Sequence, residues 1–255
     1  MINSISIGKL TIHFYSLCIL IGVFCAYFVI MRETKKQKLN TDVMFNIVFY
    51  GLLVGIICAR IHYVLFNFDY YVFHFDEILK VWEGGLAIHG GIIGGLIVVF
   101  LYSERHNIKF FKLTDIIIPG VILAQGIGRW GNFFNQEAYG IIVSKELLNK
   151  LLVPNFVIKG MYIDGAYHLP TFYFESIICI VGFLIILLLR NKFKKRGLVT
   201  AFYLIWYGVF RYIIEYYRTD SLMLFNAKVA MIISGLMVIF GVVILIMSIR
   251  RSKEW

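Results

Sequence analysis

The sequence predicts an all-α integral membrane protein with seven transmembrane helices, and three observations lead there. The 255 residues are 60% hydrophobic and 16% charged, with a mean hydropathy of +0.81, whereas an ordinary soluble chain carries about 25% charged residues. Seven apolar stretches are long enough, or nearly so, to span, which takes roughly 17 to 25 residues of helix. They run approximately over 14–31, 43–66, 85–102, 115–134, 172–189, 198–217 and 228–249. Basic clusters follow the odd-numbered stretches.

Taken in order, the first stretch leads into Arg32, Lys35, Lys36 and Lys38. The second leads into Asp69, Asp76, Glu77 and Glu83, with Lys80 as the single opposing charge. Arg105, Lys109 and Lys112 follow the third. The fourth is the weakest, because Pro119 and a polar run from Arg129 interrupt it. The fifth precedes Arg190, Lys192, Lys194, Lys195 and Arg196. The sixth is rich in Tyr and carries Arg211, and the seventh ends at Arg250, Arg251 and Lys253. These clusters hold 15 of the 25 Lys and Arg residues, and they fall on one side at every loop only if all seven stretches span. Lys and Arg mark the cytoplasmic side. The N-terminus is therefore expected outside and the C-terminus in the cytoplasm, with residues 135–170 as a small extracytoplasmic insertion between spans 4 and 5.

A single membrane domain over residues 1–255 is expected, since prolines number only 3 and no Gly/Ser/Pro-rich linker appears. The formal net charge of +10 reads mostly as topology. It need not mean nucleic acid, and no nucleic-acid partner is expected, although basic inner loops meet anionic membrane lipid. The first apolar stretch is followed rather than preceded by its basic cluster and lacks a small-residue cleavage pattern, so it reads as a span and not as a signal peptide. Cys18, Cys25, Cys58 and Cys179 all lie in predicted spans without CxxC spacing, which gives neither a disulfide framework nor a metal site.

With that topology, five segments deliver polar groups to the outer leaflet: Tyr15 from span 1, Arg60 and His62 from span 2, His89 from span 3, Arg129 and Asn132 from span 4, and Tyr207, Arg211, Glu215 and Arg218 from span 6. Asn135, Gln136 and Glu137 lie just beyond span 4. Charge at membrane depth is costly and marks function. Arg129, Asn132 and Gln136 share a face while their segment stays helical, and Tyr207, Arg211, Glu215 and Arg218 share another. Gly90/Gly94, Gly91/Gly95 and Gly51/Gly55 have the spacing that lets helices approach closely.

Each group also has a plainer reading. Arg60 reads as structural, paired with a carboxylate or snorkelling to headgroups. His62, His13 and His74 read as interfacial, and His89 stands open between packing and proton transfer. Arg211 with Glu215 reads as an ion pair, but a second arginine aimed at the same leaflet favours function. Gly126-x-Gly128-x-x-Gly131 matches the dinucleotide fingerprint by letter and lacks the βαβ unit that gives it meaning. Two or three arginines in a low-dielectric site suit a phosphate held by charge-assisted, bidentate hydrogen bonds. In an outer leaflet that phosphate is most simply a phospholipid headgroup, and a metal-free phospholipid-handling enzyme is the reading the residues license.

The run Gly128-Arg129-Trp130-Gly131-Asn132-Phe133-Phe134-Asn135-Gln136-Glu137-Ala138-Tyr139-Gly140 resembles the signature of the phosphatidylglycerol–prolipoprotein diacylglyceryl transferase family. His89-Gly90-Gly91, the Pro170-Thr171 to Glu175-Ser176 element, and Tyr207-Gly208 leading into Arg211, Glu215 and Arg218 resemble the same family, over essentially the whole chain. The resemblance implies a bacterial plasma-membrane transferase with its active site facing the outer leaflet and no cofactor. It moves the diacylglyceryl group of phosphatidylglycerol onto the lipobox cysteine thiol of a preprolipoprotein signal peptide, and glycerol 1-phosphate leaves. It further implies that His89, Arg129 and Arg211 are catalytic, with His89 as base for the thiol. Tyr15, Asn132, Glu137, Gly140, Tyr207, Glu215 and Arg218, together with Arg129, then bind phosphatidylglycerol. Phe174 departs from the family, where many relatives carry Tyr, and Lys145–Tyr167 aligns with little. A lipid or solute transporter, another phospholipid-dependent transferase and a membrane scaffold are the rival classes. No internal repeat supports the first, no clear nucleophile the second, and the intramembrane charges oppose the third.

Overall fold

The computed structural model describes residues 3–7, 10–224 and 226–250; Arg251 and Lys253 of the last basic cluster lie outside them. A short hairpin, β1 (Ser4–Ile7) and β2 (Leu10–His13), leads into α1 (Phe14–Lys36). Then come α2 (Thr41–Phe66), the single turn α3 (Phe68–Tyr71), α4 (Ile88–Arg105) and α5 (Phe110–Asn135). Two small helices, α6 (Lys145–Lys150) and α7 (Asn155–Gly160), and a hairpin, β3 (Tyr162–Ile163) with β4 (Ala166–Tyr167), follow. The chain continues through α8 (Thr171–Leu189), α9 (Leu198–Tyr217), a hairpin of β5 (Met223–Leu224) with β6 (Ala227–Lys228), and α10 (Val229–Arg250). Seven of these helices, α1, α2, α4, α5, α8, α9 and α10, are long and apolar enough to cross a membrane. Each matches one predicted stretch, and the protein is a multi-pass membrane protein.

Several boundaries differ from the predicted ones for identifiable reasons. α1 continues to Lys36, so Arg32, Lys35 and Lys36 sit on the helix rather than after it. α4 begins at Ile88 and not at 85, because Gly84 and Gly85 adopt φ of +98° and +68°, a region that L side chains avoid. α5 runs unbroken past Pro119; neighbouring groups in a membrane helix can take up the freed carbonyl. α8 begins at Thr171, one residue before the fifth predicted stretch, so the Thr171–Ser176 motif forms its first turns.

The chain divides into two compact units, residues 31–116 and residues 1–30 with 117–255. In the first, the Asn40 side chain caps α2 by accepting from the Asp42 and Val43 amides at 2.7 and 3.4 Å, satisfying donors that a helix start leaves free. α2 and α4 then pack backbone to backbone: a Cβ on Gly94 would stand 2.8 Å from the Val54 carbonyl, and one on Gly90 would overlap the Cys58 carbonyl.

The second unit is seamed the same way. Gly120 of α5 lies against Ala26 of α1, where a Cβ would come within 2.7 Å of the carbonyl oxygen. Ser176 of α8 donates to the Gly126 carbonyl at 2.8 Å and accepts from the Trp130 indole at 3.1 Å. Trp206 of α9 donates to the Ile178 carbonyl at 3.0 Å across Gly182. Gly208 of α9 fits against Ser234 of α10. Residues 136–170 close over their own core of Leu148, Val153, Val157, Ile158 and Met161, which joins Phe133 at the end of α5 and Phe172 at the start of α8. This core fixes where the polar ends of α5 and α8 meet α9.

Candidate active site

Three helices of the larger unit bring their charged residues onto one carboxylate. Glu175, in the second turn of α8, is buried with its side chain 3% exposed; its Oε1 is 2.7 Å from Nη2 of Arg129 on α5, and its Oε2 is 2.9 Å from Nη1 of Arg211 on α9. Tyr207, one turn before Arg211, donates its hydroxyl to Glu175 Oε1 at 2.8 Å, and Arg129 donates to that hydroxyl at 3.4 Å. Arg211 reaches on with Nη2 to Glu215 at 2.6 Å. Arg218, just past the end of α9, lies 3.8 Å from Glu215 and forks onto Asp220 at 2.9 and 3.0 Å.

The predicted face of α9 is therefore real: Tyr207, Arg211, Glu215 and Arg218 form one continuous row with Arg129. The face proposed for α5 ends sooner. Gln136 has φ of +50° and turns away to donate to the Gly160 carbonyl at 3.0 Å. Asn132 instead donates to Glu137 at 2.9 Å, with Asn135 on the same oxygen at 3.4 Å. Tyr15 packs its ring on Gly131, where a Cβ would lie 2.7 Å from the ring edge. Gly140 pairs with Arg218 as an isolated bridge, and its amide donates to the Leu169 carbonyl at 2.8 Å. A Cβ there would press on the Tyr217 carbonyl at 2.9 Å. Its glycine is thus explained by a close approach that ties the 136–170 region to the end of α9.

Lys228 completes that end, donating to the carbonyls of Glu215 at 2.7 Å, Tyr216 at 3.2 Å and Arg218 at 2.6 Å. It satisfies acceptors that a helix C-terminus leaves open. Lys228 escaped the sequence reading, since its partners lie on another element. For Glu175 the signal in the sequence is a lone carboxylate inside an apolar stretch.

In the smaller unit, His89 stands in the first turn of α4, half-buried, with its ring centroid 6.2 Å from that of His62. His62 stacks on Phe66 at 4.5 Å. Arg60 is 7% exposed and structural, but not as expected: it pairs with no carboxylate among the described residues and bonds backbone carbonyls of the loop before α4.

Chemically, the network is a pair of guanidiniums gathered on one carboxylate, with Glu215 as a second counter-charge on Arg211. Among the described residues, Glu175 and Tyr207 engage only Nη2 of Arg129, and Arg211 uses Nη1 and Nη2. Both arginine side chains stay partly exposed, at 23% and 12%, and a guanidinium fork is suited to an oxyanion such as a carboxylate or a phosphate.

A family model described as prolipoprotein diacylglyceryl transferase matches residues 3–247. The chain is 44% identical over 250 residues to the phosphatidylglycerol–prolipoprotein diacylglyceryl transferase of Bacillus velezensis, covering 98% of this chain and 92% of that one. It is 45% identical over 252 residues to the enzyme of the same name from Streptococcus uberis, covering 98% and 95%. A Staphylococcus aureus protein of that name is 45% identical over 249 residues, covering 97% and 88%. A match that runs through both compact units and every spanning helix makes the chain a member of the prolipoprotein diacylglyceryl transferase family.

Proposed function

We propose that the protein transfers the diacylglyceryl group of phosphatidylglycerol to the lipobox cysteine of preprolipoproteins, the first step of bacterial lipoprotein maturation. The observation that carries this reading is the sharing of Glu175 by Arg129 and Arg211, which pre-organises two guanidiniums for one phosphate. Full-length identity to relatives that bear the transferase name supports it.

In the proposed reaction the substrate thiolate attacks the terminal glycerol carbon of the diacylglyceryl group. A carbon–sulfur bond forms, the carbon–oxygen bond to phosphate breaks, and glycerol 1-phosphate departs with the bonding pair. Negative charge grows on the departing phosphate oxygen, and Arg129 and Arg211 are the groups that stabilise it in this reading; such preorganised charge lowers the barrier without reorganisation. A free thiol is mostly protonated at neutral pH, with a pKa near 8.5, so the proton needs an acceptor, and His89 is that base. Tyr15, Asn132, Glu137, Gly140, Tyr207, Glu215 and Arg218 complete the headgroup site. The site serves the outer leaflet of the bacterial plasma membrane, with the N-terminus and the 135–170 insertion outside. The nucleophile belongs to the substrate, so the chain's own thiols are spectators.

Mass spectrometry of a lipobox peptide, incubated with purified protein and phosphatidylglycerol, tests the proposal. Addition of one diacylglyceryl mass to the cysteine, with release of glycerol phosphate and no addition to a Cys→Ser peptide, is the expected result. An unmodified peptide from folded, lipid-supplied protein overturns it and returns the transporter class.

A further inference from the structure

Arg60 is a buried charge that the proposed chemistry does not use, and its surroundings are built with unusual completeness. Its guanidinium donates four hydrogen bonds, all to backbone carbonyls: Nε to Ile78 at 2.8 Å, Nη2 to Glu77 at 2.6 Å, and Nη1 to Gly84 and Gly85 at 2.9 and 3.0 Å. The rings of Tyr63 and Tyr71 lie on it, with centroids 5.8 and 5.3 Å from Cζ, within cation–π range. Gly85 is pressed so closely that a Cβ would overlap Arg60 Nη1.

The carbonyls it gathers belong to the loop that ends where α4 begins. The next contact continues the same register: the Ala87 amide donates to the Ala59 carbonyl at 3.1 Å. One turn on, Gly90 packs on the Cys58 carbonyl. Three consecutive residues of α2, Cys58, Ala59 and Arg60, thus hold the backbone on both sides of His89. α4 has no side-chain cap of its own at Ala87, and of its free amides the Ala87 N–H is taken up by the Ala59 carbonyl. Once the backbone is fixed, the His89 ring keeps little more than its own rotamers.

We propose that Arg60 is a positioning residue for His89, acting through the 77–87 loop; this rests on reading His89 as the proton acceptor. Lysine cannot replace it, because one ammonium cannot span carbonyls that a planar fork reaches in three directions. A displacement of about 1 Å at a reacting group lowers rates by up to about 100-fold.

The test uses full-length protein in lipid nanodiscs: parent, Arg60→Lys, His89→Gln and the double variant, with thermal unfolding recorded for each. Arg60→Lys is expected to lower kcat on the order of 10- to 100-fold with KM for phosphatidylglycerol unchanged, and to add nothing in the His89→Gln background. Nitrogen NMR shifts of histidine-labelled protein supply a readout that needs no turnover. The His89 signals move in Arg60→Lys, while those of His168, whose ring bonds the Gly140 carbonyl, stay. Unmoved His89 signals, or losses that multiply in the double variant, overturn the proposal. Moved signals with a fully active His89→Gln protein keep the clamp and remove the base, which separates failure of this inference from failure of the reading beneath it.

Discussion

The Glu175 carboxylate is shared by Arg129, Arg211 and Tyr207 within 3 Å, and its side chain is 3% exposed. Taking charge out of water is expensive, and a buried ion pair offsets that only while all its partners are present. Glu175→Gln leaves two guanidiniums facing a neutral amide, and loss of one partner from a buried pair costs about 3–5 kcal/mol. The expected outcome is a clearly lowered Tm in detergent together with loss of transfer; an unchanged Tm would show that Glu175 carries no structural load. At this scale the sequence was legible where polar residues repeat along one helix, as in the row from Tyr207 to Arg218. It was silent where the partners lie on different helices. Glu175 has no charged neighbour within its own helix, so its role appears only when α5, α8 and α9 are side by side. Gln136 failed in the opposite direction, because helical spacing means nothing once the helix has ended.

At the level of elements, close helix approach depends on which glycines face a neighbour, and spacing alone does not distinguish them. Gly90/Gly94 and Gly91/Gly95 both satisfy the small-residue pattern. The structure separates them: Gly94 would put a Cβ 2.8 Å from the Val54 carbonyl, whereas Gly95 meets no atom within 4 Å. A methyl group pushed into backbone forces the helices apart, and overpacking of this kind costs about 1–3 kcal/mol. Gly94→Ala should therefore lower Tm and Gly95→Ala should leave it at or slightly above the parent value, since alanine is the better helix former. Equal effects in differential scanning fluorimetry would mean the α2–α4 seam lies elsewhere. The spanning helices themselves were legible because length and apolarity decide them. The elements inside the predicted 135–170 insertion were not, since α6, α7 and the β3–β4 hairpin are each too short to carry a period and owe their order to a core shared with Phe133 and Phe172.

For the whole molecule, the number of spans came from hydropathy and the direction from charge, and these are separate inferences. Seven helices of sufficient length and apolarity are present among the described residues, and an odd number of spans places the ends of α1 and α10 that face the termini on opposite sides. Which side is which depends on the Lys and Arg bias of the short loops, strongest in the Arg190–Arg196 cluster. Cysteine scanning decides it. Cys18, Cys25, Cys58 and Cys179 are free thiols, so a variant with all four changed to Ala serves as background and should itself retain transfer, because in the proposed reaction the attacking thiol comes from the substrate. Into it go Asp164→Cys, exposed at the turn between β3 and β4, or Lys194→Cys, exposed between α8 and α9. A membrane-impermeant maleimide applied to intact cells should label Asp164→Cys at once and Lys194→Cys only after permeabilisation. The reverse pattern would turn the molecule over and put the 136–170 insertion in the cytoplasm. The Arg129–Glu175–Arg211 network lies at the insertion-proximal ends of α5 and α8, so it would then face the inner leaflet, against the outer-leaflet site proposed for the transfer.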